Sequence, residues 1–174
     1  MSDEFTRGKG LKLLMDTYQE QLYWHIRRIV SVHEDADDVL QNTFIKVYRS
    51  ISSFKGDAKL YTWLYRIATN ESLTLLKKRK RHVSEHLDGE DNLGERLLAD
   101  PYWSGDKTQL ALKKAISKLP EKQMLVFNLR YYDDMSYKAM SEMLETSEGA
   151  LKASYHHAVK KIEQFIKFNH EDYT

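Results

Sequence analysis

The chain has 174 residues, no cysteine, and 27 Lys and Arg against 26 Asp and Glu, for a net charge of +1. That length builds one domain or two small ones, each able to bury a core. The absence of cysteine excludes disulfides, thiolate catalysis and Cys-ligated zinc, and the balanced charge excludes a uniformly basic nucleic-acid binder.

The charge is unevenly spread. Residues 1–84 carry 15 Lys/Arg against 10 Asp/Glu, residues 85–106 carry one against seven, and residues 107–174 carry 11 against nine. Two mildly basic blocks thus flank an acidic connector, a pattern of polyanion-binding chains and equally of connectors kept soluble by their charge. The polar start MSDEFTRGKG predicts no signal peptide, and the longest apolar run, Met124–Phe127, has four residues, far short of a membrane span. The expectation is a cytoplasmic protein with no membrane insertion.

No alternating strand pattern of useful length occurs, so the predicted fold is all-α. The stretches Leu11–Lys55 and Asp57–Asp88 lack both glycine and proline, as helix interiors do. A first helical domain is expected over residues 8–83, with helices at 10–31, 36–51 and 60–80. Asp35 is the expected N-cap of the second helix. In that helix Leu40, Phe44, Val47, Tyr48 and Ile51 fall on one face at helical spacing. Residues 84–106 hold the acidic excess with no sustained periodicity, and read as a flexible linker with a helical turn at 93–99. A second domain is expected over 107–170, with helices at 107–118, 121–132, 136–144 and 147–168. Pro120 suits a helix start, where its missing N–H costs nothing.

The segment Phe54–Arg81, FKGDAKLYTWLYRIATNESLTLLKKRKR, joins a short Gly-containing loop to an aromatic-rich helix ending in five consecutive cations. Rings that stack bases beside cations that neutralise phosphates are what holds single-stranded nucleic acid. A core helix with a solvated basic end has the same spacing.

The C-terminal segment from Ser136 to Phe168 has helix-turn-helix spacing. Tyr137, Met140, Met143 and Leu144 face inward on a short helix, and Leu151, Tyr155, Ala158, Ile162 and Phe165 on a longer one. Ala139 is small where the helices would cross, and Ser147 is placed to cap the second. Docked in a major groove, the second helix would present Glu148, Lys152, Ala153, His156 and His157 to base edges, with Lys160 and Lys161 further along. A plain helical hairpin fits the same spacing. His156 and His157, adjacent on a helix, point about 100° apart and do not jointly ligate one ion. His82 and His86 have metal-compatible spacing but no evident carboxylate partner. No metal site and no cofactor is predicted.

Taken together, DADDVLQNTFIKVYRSISSFKGDAKLYTWLYRIATNES at 35–72 and LPEKQMLVFNLRYYDDMSYKAMSEMLETSEGALKASYHHAVKKI at 119–162 resemble the extracytoplasmic-function (ECF) sigma factors of bacterial RNA polymerase. The resemblance implies a sigma-2 domain, a linker and a sigma-4 helix-turn-helix domain, acting as a dissociable specificity subunit rather than an enzyme. Its implied partners are core RNA polymerase (β′ clamp and β flap), promoter DNA and an anti-sigma factor. The helix bearing Asp37, Asp38, Gln41, Asn42, Thr43 and Phe44 is similar to the surface that docks on the β′ clamp coiled coil.

By the same resemblance, Phe54, Lys55, Gly56 and Asp57 shape a pocket for a melted −10 base. Asn70 matches the position that contacts that base, Tyr65 and Arg66 fall in the same motif, and Lys77, Lys78, Arg79, Lys80 and Arg81 track the backbone. Trp63 is expected in the core. The −35 positions are Glu148, Lys152, Ala153, His156, His157 and Lys160. Many relatives carry an arginine-rich stretch here, and Glu145 stands where helix-turn-helix turns often have glycine. The linker is implied to lie in the RNA-exit path. The rival reading is a stand-alone helix-turn-helix regulator, which accounts for 136–168 and leaves 35–81 without a task. A helical adaptor with no DNA role leaves the basic tract without one.

Overall fold

The computed structural model describes residues 2–56, 59–85 and 107–168. Apart from a 3-10 turn at Ile51–Ser53, the regular structure there is α-helical: α1 (Ser2–Val30), α2 (His33–Ser50), α3 (Leu60–Glu85), α4 (Lys107–Ser117), α5 (Glu121–Tyr131), α6 (Tyr137–Leu144) and α7 (Glu148–Phe168). The helices fall into two compact units, α1–α3 and α4–α7. Ser84 and Glu85, expected to open the linker, belong to α3; residues 86–106, including the expected turn at 93–99 and His86, lie outside the described residues.

In the first unit each helix buries one stripe at 3.6-residue spacing. Leu22, Ile26 and Val30 of α1 meet Ala36, Val39, Phe44 and Val47 of α2 and Leu64, Tyr65 and Ala68 of α3. Polar groups drawn inside are matched. His25 is fully buried, with Nε2 2.8 Å from the Thr69 hydroxyl and its ring 4.7 Å from that of Tyr65. Thr43 and Ser72 turn their hydroxyls back onto the carbonyls of Val39 and Ala68.

Helix ends differ from expectation in instructive ways. α1 starts well before residue 10, running through Gly8 and Gly10, whose flexibility costs about 1 kcal/mol each without breaking a helix. It stops at Val30 because Ser31 adopts a left-handed conformation (φ 65°) and donates its N–H to the Arg27 carbonyl. α2 therefore begins at His33 with Val32 as an extended N-cap residue, not with Asp35. Asp35 lies inside the first turn, buried, and is taken up by Arg79 of α3. Tyr48, expected on the apolar face, is 36% exposed, since that face is completed by Ala36, Val39 and Thr43 instead.

In the second unit Ala115, Ile116, Leu119, Phe127, Ala158 and Ile162 form a buried cluster joining α4, α5 and α7, flanked by Tyr155 and Phe165. α6 packs on α5 and α7, with Ala139, Met140 and Met143 buried. Ser136 accepts the Ala139 N–H at 3.2 Å and Ser147 the Ala150 N–H at 3.3 Å, capping the two helices of the helix-turn-helix. The turn between them is made by Glu145 at φ 52°, a conformation that costs an L-residue about 1 kcal/mol and that glycine would adopt freely.

Asn128 of α5 is 1% exposed, and neither side-chain oxygen nor nitrogen has a hydrogen-bond partner among the described residues. Such a group pays its desolvation without return, about 1–3 kcal/mol. Asn128→Leu is expected to raise the stability of the second unit by about 1 kcal/mol in urea denaturation followed by circular dichroism; a loss of stability would contradict this account of the side chain.

Candidate nucleic-acid and partner interfaces

Burial of Leu64, Tyr65, Ala68 and Ser72 fixes which way the rest of α3 points. At about 100° per residue, Trp63, Arg66, Asn70, Thr74, Lys77 and Arg81 lie within about 40° of one line along the opposite side. At about 1.5 Å per residue that line runs some 27 Å, with a ring at one end, an amide in the middle and cations at the other. Asn70, Thr74, Lys77 and Arg81 are exposed, while Trp63 and Arg66 are half-buried. The Asn70 amide makes no side-chain hydrogen bond among the described residues; its backbone carbonyl accepts from Thr74.

Four residues of the expected DNA set on α3 lie off that line: Lys78 and Lys80 are exposed about 80° to either side of it, and Tyr65 and Arg79 face the core. Tyr65 is 5% exposed and packs between His25 and Tyr61, because its position points at α1. Arg79 sits about 180° from Asn70 and forks onto Asp35 of α2, Nη2 donating to Oδ1 at 2.6 Å and Nη1 2.5 Å from Oδ2. The five-cation run thus divides: Lys77, Lys78, Lys80 and Arg81 are exposed, and Arg79 is structural.

The loop before α3 is tied to the same line. Phe54 lays its ring over Trp63, centroids 5.1 Å apart, so Trp63 is half-covered rather than in the core. The 3-10 turn is closed by the Phe54 N–H donating to Ile51 and the Ser53 hydroxyl to Ser50. Gly56 takes φ 78°, and Lys55 and Gly56 are exposed. Asp57 lies outside the described residues.

On α2 the outward face holds Asp37, Asp38, Gln41 and Asn42. Thr43 and Phe44 do not join them: Thr43 is fully buried and Phe44 5% exposed, because both fall on the side packed by α1 and α3. They set the helix in place rather than present a surface. In the middle of the polar face stands Ile45, 42% exposed, with Tyr48 at its edge. The pattern's one hint of Ile45 is an apolar residue off the buried stripe.

On α7, Ala153, His156, His157 and Lys160 are exposed on the side away from Leu151, Ala158 and Ile162. Lys152 is held to one side, Nζ 3.9 Å from the Glu148 carboxylate and 5.6 Å from the centre of the Tyr137 ring, which Arg130 also approaches at 5.7 Å. The His156 and His157 rings are 6.1 Å apart and tilted by 56°. No cluster of His, Asp and Glu suited to a metal ion occurs among the described residues.

Residues 14–82 match the family model "Sigma-70 region 2", and residues 109–162 match "Sigma-70, region 4". The ECF RNA polymerase sigma-E factor of Haemophilus influenzae is 32% identical over 168 residues, covering 91% of this chain and 88% of that one. The ECF RNA polymerase sigma factor SigW of Bacillus subtilis is 31% identical over 154 residues, covering 82% and 81%. Among solved structures, the sigma factor RpoE in complex with the anti-sigma factor NepR from Bartonella quintana has a TM-score of 0.73 at 22% identity, covering 91% of this chain and 98% of that one. CnrH in complex with the cytosolic domain of CnrY has a TM-score of 0.69 at 20% identity, covering 93% and 90%.

Phe54→Ala is expected to uncover Trp63 and shift its fluorescence to the red in a background where Trp24 and Trp103 are Phe. An unshifted spectrum would mean that the loop does not rest on α3.

Proposed function

We propose that this chain, which belongs to the extracytoplasmic-function sigma factors of bacterial RNA polymerase, captures unpaired −10 bases along the Trp63–Arg81 line of α3. The alignment of that line carries the proposal. A melted strand laid along it meets the Phe54–Trp63 rings and Gly56 loop, then the Asn70 amide, then Lys77 and Arg81. The amide donates and accepts on a base edge, and the cations neutralise successive phosphates. Unpairing costs a few kcal/mol, and stacking returns about 1–3 kcal/mol per base.

Docking on core polymerase falls to the outer face of α2. Asp37, Asp38, Gln41 and Asn42 make a polar rim, and Ile45 is the apolar anchor at its centre, the arrangement of a protein interface. The helix-turn-helix unit binds −35 duplex. Its outward face reads with small and imidazole side chains, so Ala153 contributes apolar contact of the kind a thymine methyl takes, and Lys160 contributes phosphate contact. No bond is made or broken by the protein in this scheme, and it acts where polymerase acts, in the cytoplasm. No described helix is long and apolar enough to cross a membrane. The two solved relatives are each in complex with a second protein, one of them named an anti-sigma factor, which supports a protein antagonist for this chain too. A stand-alone helix-turn-helix regulator would leave Ile45 and the α3 line unused.

Two substitutions separate the duties. Ile45→Asp is expected to weaken binding to core polymerase on the order of 10–100-fold, the scale of losing a central interface anchor. Asn70→Ala is expected to leave that binding intact while lowering permanganate reactivity of −10 thymines in the holoenzyme–promoter complex. Equal loss of both activities in Asn70→Ala would remove Asn70 from the capture site.

A further inference from the structure

Within the run Lys77–Arg81, Arg79 alone is shown turned inward to a carboxylate, 44 residues back in the chain. The pair is partly buried, with side-chain exposures of 31% for Arg79 and 13% for Asp35. Each guanidinium nitrogen faces one carboxylate oxygen: Nη2 donates to Oδ1, and Nη1 lies 2.5 Å from Oδ2 as a charge contact without hydrogen-bond geometry. Asp35 occupies the first turn of α2, two residues before Asp37 and three before Asp38 on the outer face of that helix. Nearer the other end of the α2–α3 contact, Lys46 is paired with Glu71, the residue after Asn70. The two ion pairs brace α3 against α2 at points eight residues apart along α3.

We propose that Arg79 is a positioning residue for promoter capture: its ion pair with Asp35 keeps the last turns of α3 wound and seated on α2, so that Lys77 and Arg81 stay on the line begun by Trp63 and Asn70. Helix geometry supplies the reason. α3 extends to Glu85, and the last buried side chain described on it is that of Ser72, two turns before Arg79. Fraying or bending of those turns would carry Lys77 and Arg81 off the line. The ion pair opposes that loss, and it does so from the helix whose outer face is proposed to dock the polymerase. Lysine could keep the charge but not the two-point contact. This inference rests on reading the α3 line as the DNA track.

The test uses the full chain bound to core polymerase, a fork-junction DNA carrying a promoter selected by that holoenzyme, and affinity measured across salt concentrations. Asp35→Asn leaves every cation in place. It is expected to weaken capture about tenfold, the scale of coupling inside one ion-pair network, with the salt slope unchanged and binding to core polymerase retained. Arg79→Lys is expected to do the same. If Asp35→Asn instead tightens binding and steepens the salt slope by about one, Arg79 is a phosphate contact held in reserve and the proposal fails. If either variant loses polymerase binding and promoter capture in equal proportion, the pair serves stability alone and the proposal also fails. Lys77→Ala and Arg81→Ala serve as controls, each expected to flatten the slope by about one. Unchanged slopes there would overturn the DNA-track reading itself, whatever the Asp35 result.

Discussion

A helix that buries one face against its neighbours fixes the direction of every side chain on its other face. This constraint organises the first unit. Leu64, Tyr65, Ala68 and Ser72 commit α3 to the core, and the 3.6-residue repeat then places Trp63, Asn70, Lys77 and Arg81 in line. On α2 the burial of Val39, Thr43 and Val47 turns Asp38, Gln41 and Ile45 outward in the same way. The exposed faces of both helices are the complements of one core, so the surfaces proposed for recognition are specified by the residues that pack.

The polar groups inside that core reinforce its register. Greasy side chains alone tolerate some sliding, whereas the His25–Thr69 hydrogen bond and the Asp35–Arg79 fork each have one geometry. The second unit shows the opposite economy. Its turn is built with Glu145 in a left-handed conformation and its core keeps an unmatched amide at Asn128, so its fold rests on aromatic and aliphatic packing around Phe127 and on the Ser136 and Ser147 caps.

Much of this was legible in the sequence, because helical periodicity and glycine–proline punctuation are local signals. All four C-terminal helices start and end within a residue of expectation. What periodicity could not supply was long-range pairing. An aspartate before an apolar stripe reads as a cap, and only the proximity of Arg79 shows why Asp35 is buried instead. Five adjacent cations read as one basic tract, although successive helical residues point about 100° apart and one of them had to face inward. Motif resemblance placed Tyr65, Thr43 and Phe44 among contact residues, and burial returns all three to the core. Ile45 was hidden for the converse reason: a single exposed isoleucine is ordinary until the polar rim around it is seen in place.

The central claim is that a sigma factor's two tasks, holding polymerase and holding melted promoter, reside on separate faces of one three-helix core. Transcription reconstituted from purified chain and core polymerase on a genomic promoter library tests it most directly. The account predicts initiation at a defined set of start sites only when both components are present, with unpaired thymines in the −10 region. Tight binding of the chain alone to promoter duplex, with no initiation when polymerase is added, would contradict it.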